Sequence, residues 1–258
     1  MKKQLLILFL LIRFLGFSQN EYRLAENYYR ENEYEKALQI YKNLYQQNNY
    51  NSTYLKRLIS CYQETNNFKT AENLLKNNLK KQPRLYYLNV LLGYNFDKQQ
   101  QKEPAIVFYE KALQGIQQNP NYGGIVGGLF KEYNLLEYAI NAYEQTMRKK
   151  PKANYHFQVA QIYGEQGDFD KMFTAFIDLV DKNEQYLETV KRYVSRYISD
   201  DRQNETNVIF RKVVLRKSFS KPKIIWNELL SWLFSQQKEY SKALTQEKAL
   251  YARNPIDF

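Results

Sequence analysis

The stretch Leu91–Pro120, LLGYNFDKQQQKEPAIVFYEKALQGIQQNP, decides the fold of this chain because one of its alanines belongs to a ladder. The ladder alanines stand 34 residues apart and a methionine follows 33 residues after the last of them: Ala37, Ala71, Ala105, Ala139 and Met172. A fixed period of this length predicts a solenoid, in which similar helical hairpins stack on one another. Glycine and proline are scarce, at 9 and 6 of 258 residues, which also favours helices.

The same stretch resembles the tetratricopeptide repeat family, whose unit is a pair of short helices. The residues that carry the resemblance are Leu92, Gly93, Phe96, Ala105, Tyr109, Ala112 and Pro120. The likeness covers about residues 19–182 and returns over about residues 223–256. It implies an all-α fold, a right-handed superhelical solenoid of antiparallel helix pairs. It also implies a concave groove that is lined by the first helices and binds a peptide or a partner protein.

Four segments are predicted along the chain: residues 1–18 as a signal peptide, 19–182 as five tandem repeats, 183–222 as a diverged helical hairpin and 223–258 as a final repeat. The hairpin is classed as diverged because it keeps the repeat spacing but lacks the small-residue positions. Asn32 and Gly167 are expected in turns between helices, since both residue types tolerate left-handed dihedral angles. No polar capping helix follows the final repeat, so we expect the native chain to continue.

The first 18 residues, MKKQLLILFLLIRFLGFS, have the pattern of a secretory signal peptide. Lys2 and Lys3 precede an apolar run, and Gly16 and Ser18 precede a cleavage point before Gln19. No cysteine lies near that point, which argues against a lipoprotein anchor. We therefore expect a protein that is secreted across the inner membrane and is periplasmic or associated with the cell surface. In this exported, Tyr- and Asn-rich form the chain also resembles tetratricopeptide repeat proteins of the Bacteroidetes envelope.

The resemblance places groove positions on the first helix of each repeat. Tyrosine offers rigid contact area and polar groups bond peptide backbone, so a mixture of the two suits an extended peptide. The predicted groove residues are Tyr22, Tyr29, Lys56, Gln63, Tyr87, Tyr94, Lys98, Lys131, Phe157 and Gln161. The alternative interpretation is ordinary solvated helix surface. Chaperone-binding members of the family grip a C-terminal carboxylate with Lys and Asn, whereas Tyr22 and Glu26 stand at such positions here, and Glu26 would repel a carboxylate.

A basic run forms a second candidate surface. It comprises Lys191, Arg192, Arg196, Arg211, Lys212, Arg216 and Lys217. Lys212 and Arg216 are four residues apart, as are Arg192 and Arg196, so like charges lie side by side on a helix, which is mildly destabilising. Such a face fits anionic lipid headgroups, a glycan or an acidic partner, and the alternative is a solvated face. The formal charge of +11 suits anionic partners in general, but export argues against nucleic acid.

The residue inventory argues against an enzyme. With one cysteine, Cys61, and one histidine, His156, the chain lacks the parts of a multi-histidine metal site. The carboxylates Asp200 and Asp201 are adjacent in a predicted turn, whereas a glycosidase needs two carboxylates that face each other across a cleft. We therefore expect no catalytic residue, no cofactor and no metal.

These features predict a non-enzymatic protein–protein interaction scaffold outside the cytoplasm, with a peptide or partner protein in its concave groove. The alternative is a periplasmic sensor or regulatory input segment of a longer membrane signalling protein, which the missing cap suggests. The native gene beyond residue 258 distinguishes the two, because only the second needs a membrane span and a signalling domain there.

Overall fold

The structure, a computed structural model, describes residues 20–253. The predicted signal peptide, residues 1–18, and the last five residues of the predicted final repeat, 254–258, lie outside this range. Within residues 20–253 the secondary structure consists of fourteen α-helices and two short 3-10 turns, without a β-strand. No helix in the same range is long and apolar enough to cross a membrane.

The helices are first and second members of successive hairpins, which confirms the predicted all-α architecture of helix pairs. They are α1 (20–30), α2 (Tyr34–Gln47), α3 (Ser52–Glu64), α4 (Phe68–Lys81), α5 (Tyr87–Asp97), α6 (Lys102–Gln118), α7 (Gly123–Glu132), α8 (Leu136–Lys149), α9 (His156–Glu165), α10 (Phe169–Lys182), α11 (Leu187–Val194), α12 (Glu205–Ser220), α13 (Ile224–Gln236) and α14 (Tyr240–Arg253). The chain divides into two compact units, whose described parts are residues 20–138 (unit 1) and 139–253 (unit 2). In unit 1, α5 packs on α4 and α6; in unit 2, α10 packs on α9 and α12, and α13 packs on α12 and α14.

Six turns between helices share one backbone geometry. Each contains a residue with φ between 58° and 76°, in the left-handed region: Asn32, Asn66, Gln100, Asn134, Gly167 and Lys238. In every case the amide of the next residue donates to the carbonyl five positions earlier, as Glu33 does to Tyr28 at 2.8 Å. This bond satisfies a carbonyl that the helix end would leave unpaired. The prediction that Asn32 and Gly167 lie in such turns is confirmed, and glutamine and lysine at two of the six show that ordinary side chains are also accepted.

The ladder residues lie in the core. All five are at most 1% exposed: Ala37, Ala71, Ala105, Ala139 and Met172. The first helix of a hairpin also needs a small residue where the two backbones approach. A β-carbon at Gly93 would lie 2.4 Å from Cε1 of Tyr109 and 3.0 Å from the carbonyl oxygen of Ala105. Gly93 therefore marks a close approach of α5 to α6.

Replacing Gly93 by alanine is expected to lower the free energy of unfolding by up to about 2 kcal/mol. The new methyl group would overlap the ring of Tyr109, which is 2% exposed and held against Phe130 and Tyr138. Overpacking costs about 1–3 kcal/mol, and better helix propensity returns about 1 kcal/mol of it. Urea denaturation followed by circular dichroism measures the change. A more stable variant would show that the approach at this position is not tight.

Residues 183–222 differ from the regular hairpins in how their two helices are joined. No residue of the connection 195–204 has a positive φ. Instead the side chain of Asn207, which is 0% exposed, holds the connection in place. Its Nδ2 donates to the carbonyls of Ser199 at 2.8 Å and Asp201 at 2.7 Å, and its Oδ1 accepts from the amide of Ser199 at 3.2 Å. A buried and fully bonded amide thus replaces the tight turn of the other hairpins.

Candidate functional site

A buried ion pair supports the first-helix side of unit 1. Glu26 on α1 is 9% exposed and accepts hydrogen bonds from Arg57 on α3, at 2.7 Å from Nε and 3.0 Å from Nη2. It accepts another from the hydroxyl of Tyr41. Burial alone raises the pKa of Glu26, but the bonds from Arg57 and Tyr41 outweigh burial and lower it, so the carboxylate stays charged. The expected repulsion between Glu26 and a ligand carboxylate is therefore offset by Arg57.

Arg57 also fixes the ring of Tyr29 on α1. The guanidinium carbon lies 4.4 Å from the ring centroid, in a cation–π contact. The hydroxyl of Tyr29 is 2.9 Å from Oγ of Ser60, and its ring meets that of Tyr34 edge to face, with centroids 5.3 Å apart. Three contacts hold this side chain in one orientation, so Tyr29 is a preformed aromatic surface.

A second preformed aromatic surface lies between α5 and the end of α7. The rings of Tyr94 and Tyr133 stack, with centroids 3.9 Å apart and planes inclined by 3°. Nζ of Lys98 lies 5.9 Å from the centroid of Tyr94 and 2.9 Å from the carboxylate of Glu64. Burial, followed by the charge of Glu132 and the neighbouring tyrosines, raises the pKa of Tyr133, so its phenol stays neutral.

Three of these side chains, Arg57, Ser60 and Tyr133, line a pocket of unit 1 with a volume of about 140 Å³. Its walls come from α3 and from the end of α7: Thr53, Lys56, Arg57, Ser60, Glu132 and Tyr133. Among residues 20–253, Lys56 forms no ion pair, so its ammonium group is available to a ligand. We use "groove of unit 1" for the surface formed by Tyr29, Lys56, Arg57, Ser60, Tyr94, Lys98 and Tyr133. Its hydroxyls and cations are hydrogen-bond donors, which suit peptide carbonyls and acidic side chains.

Residues 19–84 match the family model described as YpiA-like, C-terminal tetratricopeptide repeats. This part of the chain is therefore similar to tetratricopeptide repeats. Proteins built from such repeats are generally interaction scaffolds rather than enzymes, because their stacked helices present extended binding surfaces. A search of the curated proteins finds no match to the chain.

Solved structures that are similar to the chain include three described as tetratricopeptide repeat proteins or domains. The C-terminal part of a repeat-containing protein from Cytophaga hutchinsonii is 18% identical, with 91% of this chain and 96% of that chain covered and a TM-score of 0.39. A thermophilic protein from Thermus thermophilus is 18% identical, with 69% and 97% covered and a TM-score of 0.40. The TPR2AB-domain:pHSP90 complex of yeast Sti1 is 11% identical, with 92% and 98% covered and a TM-score of 0.35.

Four of the ten predicted groove residues belong to the groove of unit 1, namely Tyr29, Lys56, Tyr94 and Lys98. Tyr22 lies against Tyr41 and Tyr54, with ring centroids 6.4 Å and 5.8 Å away. Lys131 is half-buried on α7. These two residues lie on unit 1 but do not line its pocket.

Two of the predicted groove residues are buried, so the interpretation of their side chains as exposed groove surface is wrong. Gln63 is 1% exposed, and its amide nitrogen donates to the carbonyl of Leu91 and to Oδ1 of Asn95, both at 3.4 Å. Tyr87 is 5% exposed. A polar group can be buried when its hydrogen bonds are made inside the protein, and here α5 supplies both acceptors of the amide nitrogen of Gln63.

Phe157 and Gln161 belong to unit 2 and take part in its internal packing. The ring of Phe157 lies 5.6 Å from that of Phe176 and 5.3 Å from that of Tyr193. The amide of Gln161 donates to the hydroxyl of Tyr193 at 3.2 Å. Both residues therefore contact α11.

Arg57 and Tyr133 complete the groove of unit 1, and sequence reasoning missed both. Arg57 acts through its bond to Glu26, which is 31 positions earlier in the chain. Tyr133 follows the last residue of α7 and stacks on a tyrosine of the preceding hairpin. No helical periodicity marks either residue, because each depends on a partner from another hairpin.

In unit 2 the structure divides the basic run into paired and unpaired cations. Three of the seven form ion pairs at 2.7–3.3 Å: Lys191 with Glu188 and Glu228, Arg216 with Asp170, and Lys217 with Asp178 and Asp181. The other four form no ion pair with any residue of the described range: Arg192, Arg196, Arg211 and Lys212. The repulsion expected between Lys212 and Arg216 is offset by Asp170 of α10.

Unit 2 also has a cavity of about 490 Å³ between α8, α9, α10 and α12. Met147, Val159 and Ala175 contribute apolar lining, and the rim carries charges of both signs. His156 lines the cavity, and burial, followed by the charge of Lys182, lowers the pKa of its imidazole. Sequence reasoning missed this cavity, because it forms between helices of three different hairpins that are neighbours only after the hairpins stack.

Proposed function

We propose that this protein is a non-enzymatic protein–protein interaction scaffold that binds an extended peptide segment of its partner in the groove of unit 1. The observation that carries the proposal is a set of rigid tyrosine side chains beside cations, some of which form ion pairs within the protein and one of which, Lys56, forms none within the described range. Tyr29 is held by Arg57 and Ser60, and Tyr94 is stacked on Tyr133. Such rings offer contact area at little cost in conformational entropy.

The polar groups of the groove indicate which chemical groups the bound peptide should carry. Ser60 and Tyr133 have hydroxyls that can bond backbone carbonyls. Lys56 has an ammonium group without an ion pair within the described range, so an acidic side chain of the peptide would gain a charge-assisted bond there. The expected ligand is therefore an extended segment with an aromatic or aliphatic residue near an acidic one.

The proposed location is outside the cytoplasm, in the periplasm or at the cell surface. It is supported by the basic start, the apolar run and the small residues before Gln19 in the sequence. A partner of the groove would then be another exported or membrane-anchored protein.

Crosslinking in cells tests the groove. A photo-crosslinking amino acid at Lys56 should capture one dominant partner from the envelope fraction, and mass spectrometry of the same sample should find Gln19 as the first residue. Replacing Lys56 by glutamate in a separate variant should lower capture of that partner, through a crosslinker at Tyr94, by about ten-fold, because the charge reversal repels the acidic group of the peptide.

The matched control for Lys56→Glu is Lys80→Glu, since Lys80 is an exposed lysine of α4 outside the groove. It should leave capture unchanged. Equal capture by wild type and Lys56→Glu, with both proteins folded by circular dichroism, would contradict groove binding. Finding Met1 as the first residue would contradict export but would not bear on peptide binding in the groove.

A further inference from the structure

Helix α12 of unit 2 is apolar on two opposite faces. Its inner face is buried in the core, with Phe210, Val213 and Val214 at most 2% exposed. On the other side, Val208, Leu215 and Phe219 are 36%, 37% and 84% exposed. These three are spaced by seven and four residues, which places them in one row along a helix. Packing within unit 2 explains the inner face and leaves the row uncovered among the described residues.

Cations flank this apolar row. At about 100° per residue, Lys212 lies about 20° from Phe219 around the helix on one edge of the row, and Arg211 lies about 40° from Leu215 on the other edge. Neither Arg211 nor Lys212 forms an ion pair with a described residue, although other cations of α12 do. Arg216 and Lys217 face α10 and are neutralised by Asp170 and Asp178. The unpaired cations of α12 are thus the ones beside its exposed apolar row.

We propose that the outer face of α12, defined as Val208, Arg211, Lys212, Leu215 and Phe219, is a contact surface for an anionic lipid bilayer. An interfacial helix inserts its apolar residues at the boundary between headgroups and acyl chains, while lysine and arginine bind anionic headgroups. The row from Val208 to Phe219 is about 16 Å long, at about 1.5 Å per residue. The contact would be reversible and weakened by salt, because it uses few side chains.

The shape of the outer face favours a bilayer over a protein partner. Phe219 is 84% exposed and projects from a single helix, and neither it nor Leu215 lines the pockets of unit 2 that border α12. A partner helix needs a groove between two ridges, whereas a bilayer accepts protruding side chains without one. This surface lies on unit 2 and does not rest on the function proposed for the groove of unit 1.

A local fluorescent probe tests the surface in the full chain. The dye NBD is attached to cysteine at position 219 (Phe219→Cys), and Tyr50→Cys is the control, because Tyr50 is also 84% exposed but lies on unit 1. Cys61 is 0% exposed, and burial raises the pKa of its thiol to about 12, so the dye reacts at the introduced site. Vesicles of phosphatidylcholine and phosphatidylglycerol in equal amounts should shift the emission at position 219 to the blue and leave position 50 unchanged.

The cations are tested with the same probe at position 219. Replacing Arg211 and Lys212 by glutamine should raise the vesicle concentration at half-maximal shift by about 25-fold, that is, about five-fold per cation. The charge-matched control Lys80→Gln with Lys81→Gln should change it less than about two-fold, because these lysines do not belong to the outer face of α12. Circular dichroism checks that each variant is folded.

Any of three results would overturn the proposal. The first is no shift at position 219 with the anionic vesicles. The second is an equal shift with phosphatidylcholine alone, which would remove the role of the cations. The third is an unchanged vesicle concentration for the Arg211 and Lys212 variant. Crosslinking from position 219 to an acidic protein, with no response to vesicles, would assign the surface to a protein partner instead.

Discussion

Replacing Glu26 by glutamine should lower the free energy of unfolding by about 3 kcal/mol, the low end of the cost of breaking a buried ion pair. The side chain of Glu26 is 12% exposed and that of Arg57 is 30% exposed. Glutamine keeps one acceptor oxygen but replaces the other with an NH2 group. The Arg57 guanidinium therefore keeps its charge in a partly buried place, without a counter-ion and with at most one of its two hydrogen bonds to residue 26. Tyr29 would lose part of its support as well, because Arg57 holds its ring.

A double-mutant cycle separates the ion pair from other effects of the change. Glu26→Gln, Arg57→Gln and the double variant should give a coupling energy of about 2 kcal/mol or more in urea denaturation followed by circular dichroism. Glu72→Gln is the matched control, since Glu72 is also 9% exposed but its partners Lys69 and Lys76 reach into solvent. It should cost about 0.5–1 kcal/mol. A coupling energy of the same small size for Glu26 and Arg57 would show that their pair behaves like a surface pair.

The helices, the ladder and the turns could be predicted from the sequence because each depends on residues that are near one another in the chain. A small residue every 34 positions marks where the two helices of a hairpin approach each other. This spacing recurs even where the surface residues of the hairpins differ. The left-handed position at Asn32 needs only the end of one helix and the start of the next. Such local features keep their meaning without knowledge of tertiary contacts.

The groove could be predicted only in part. A side chain's position on a helix shows which way it points, but not what meets it there. The resemblance places Gln63 at a groove position on the first helix of its repeat, yet α5 provides two acceptors for its amide nitrogen and the side chain is buried. Tyr133 belongs to no repeat position and still completes the pocket by stacking on Tyr94. These outcomes depend on contacts between hairpins, which a single repeat does not encode.

The basic run likewise shows that the charge available to a partner could be predicted only in part. Arg211, Lys212, Arg216 and Lys217 are nearly consecutive, so the sequence makes them one patch. In the structure Arg216 and Lys217 meet acids of α10 that are 46 and 39 positions earlier. A run of charges in a sequence therefore overstates the charge available to a partner, because acids from a neighbouring helix neutralise part of it.

Replacing Asp181 by asparagine should lower the free energy of unfolding of unit 2 by about 2–3 kcal/mol, less than a fully buried pair because its lysine partners reach water. Asp181 forms ion pairs with three lysines. Its carboxylate oxygens lie 3.0 Å from Nζ of Lys217, 3.0 Å from Nζ of Lys221 and 2.9 Å from Nζ of Lys223, and its side chain is 11% exposed. These lysines hold the end of α12 and the start of α13 against α10. Asparagine cannot balance three positive charges that then repel one another.

The fluorescence of the chain's two tryptophans reports this change, because Trp226 and Trp232 both lie on α13. Trp226 is fully buried, and its indole nitrogen donates to the carbonyl of Lys221 at 2.8 Å. Asp200→Asn is the control, since Asp200 pairs with Lys238 in solvent, where the two side chains are 64% and 67% exposed. It should leave the urea midpoint of the fluorescence transition unchanged. An equal shift of that midpoint in both variants would contradict the role of the network.

The stabilisation that Asp181 provides should also decrease as the pH falls. Burial alone raises the pKa of this carboxyl, but the bonds from Lys223, Lys217 and Lys221 outweigh burial and hold it well below its ordinary value of 3.8. The unfolded chain therefore binds the proton more readily, and stability from Asp181 is complete above pH 3.8 and is lost as pH falls toward the folded pKa. The difference in stability between wild type and Asp181→Asn should accordingly be constant near neutral pH and shrink below pH 3.8. A difference that stays constant through that range would mean that Asp181 stabilises α13 through its shape rather than its charge.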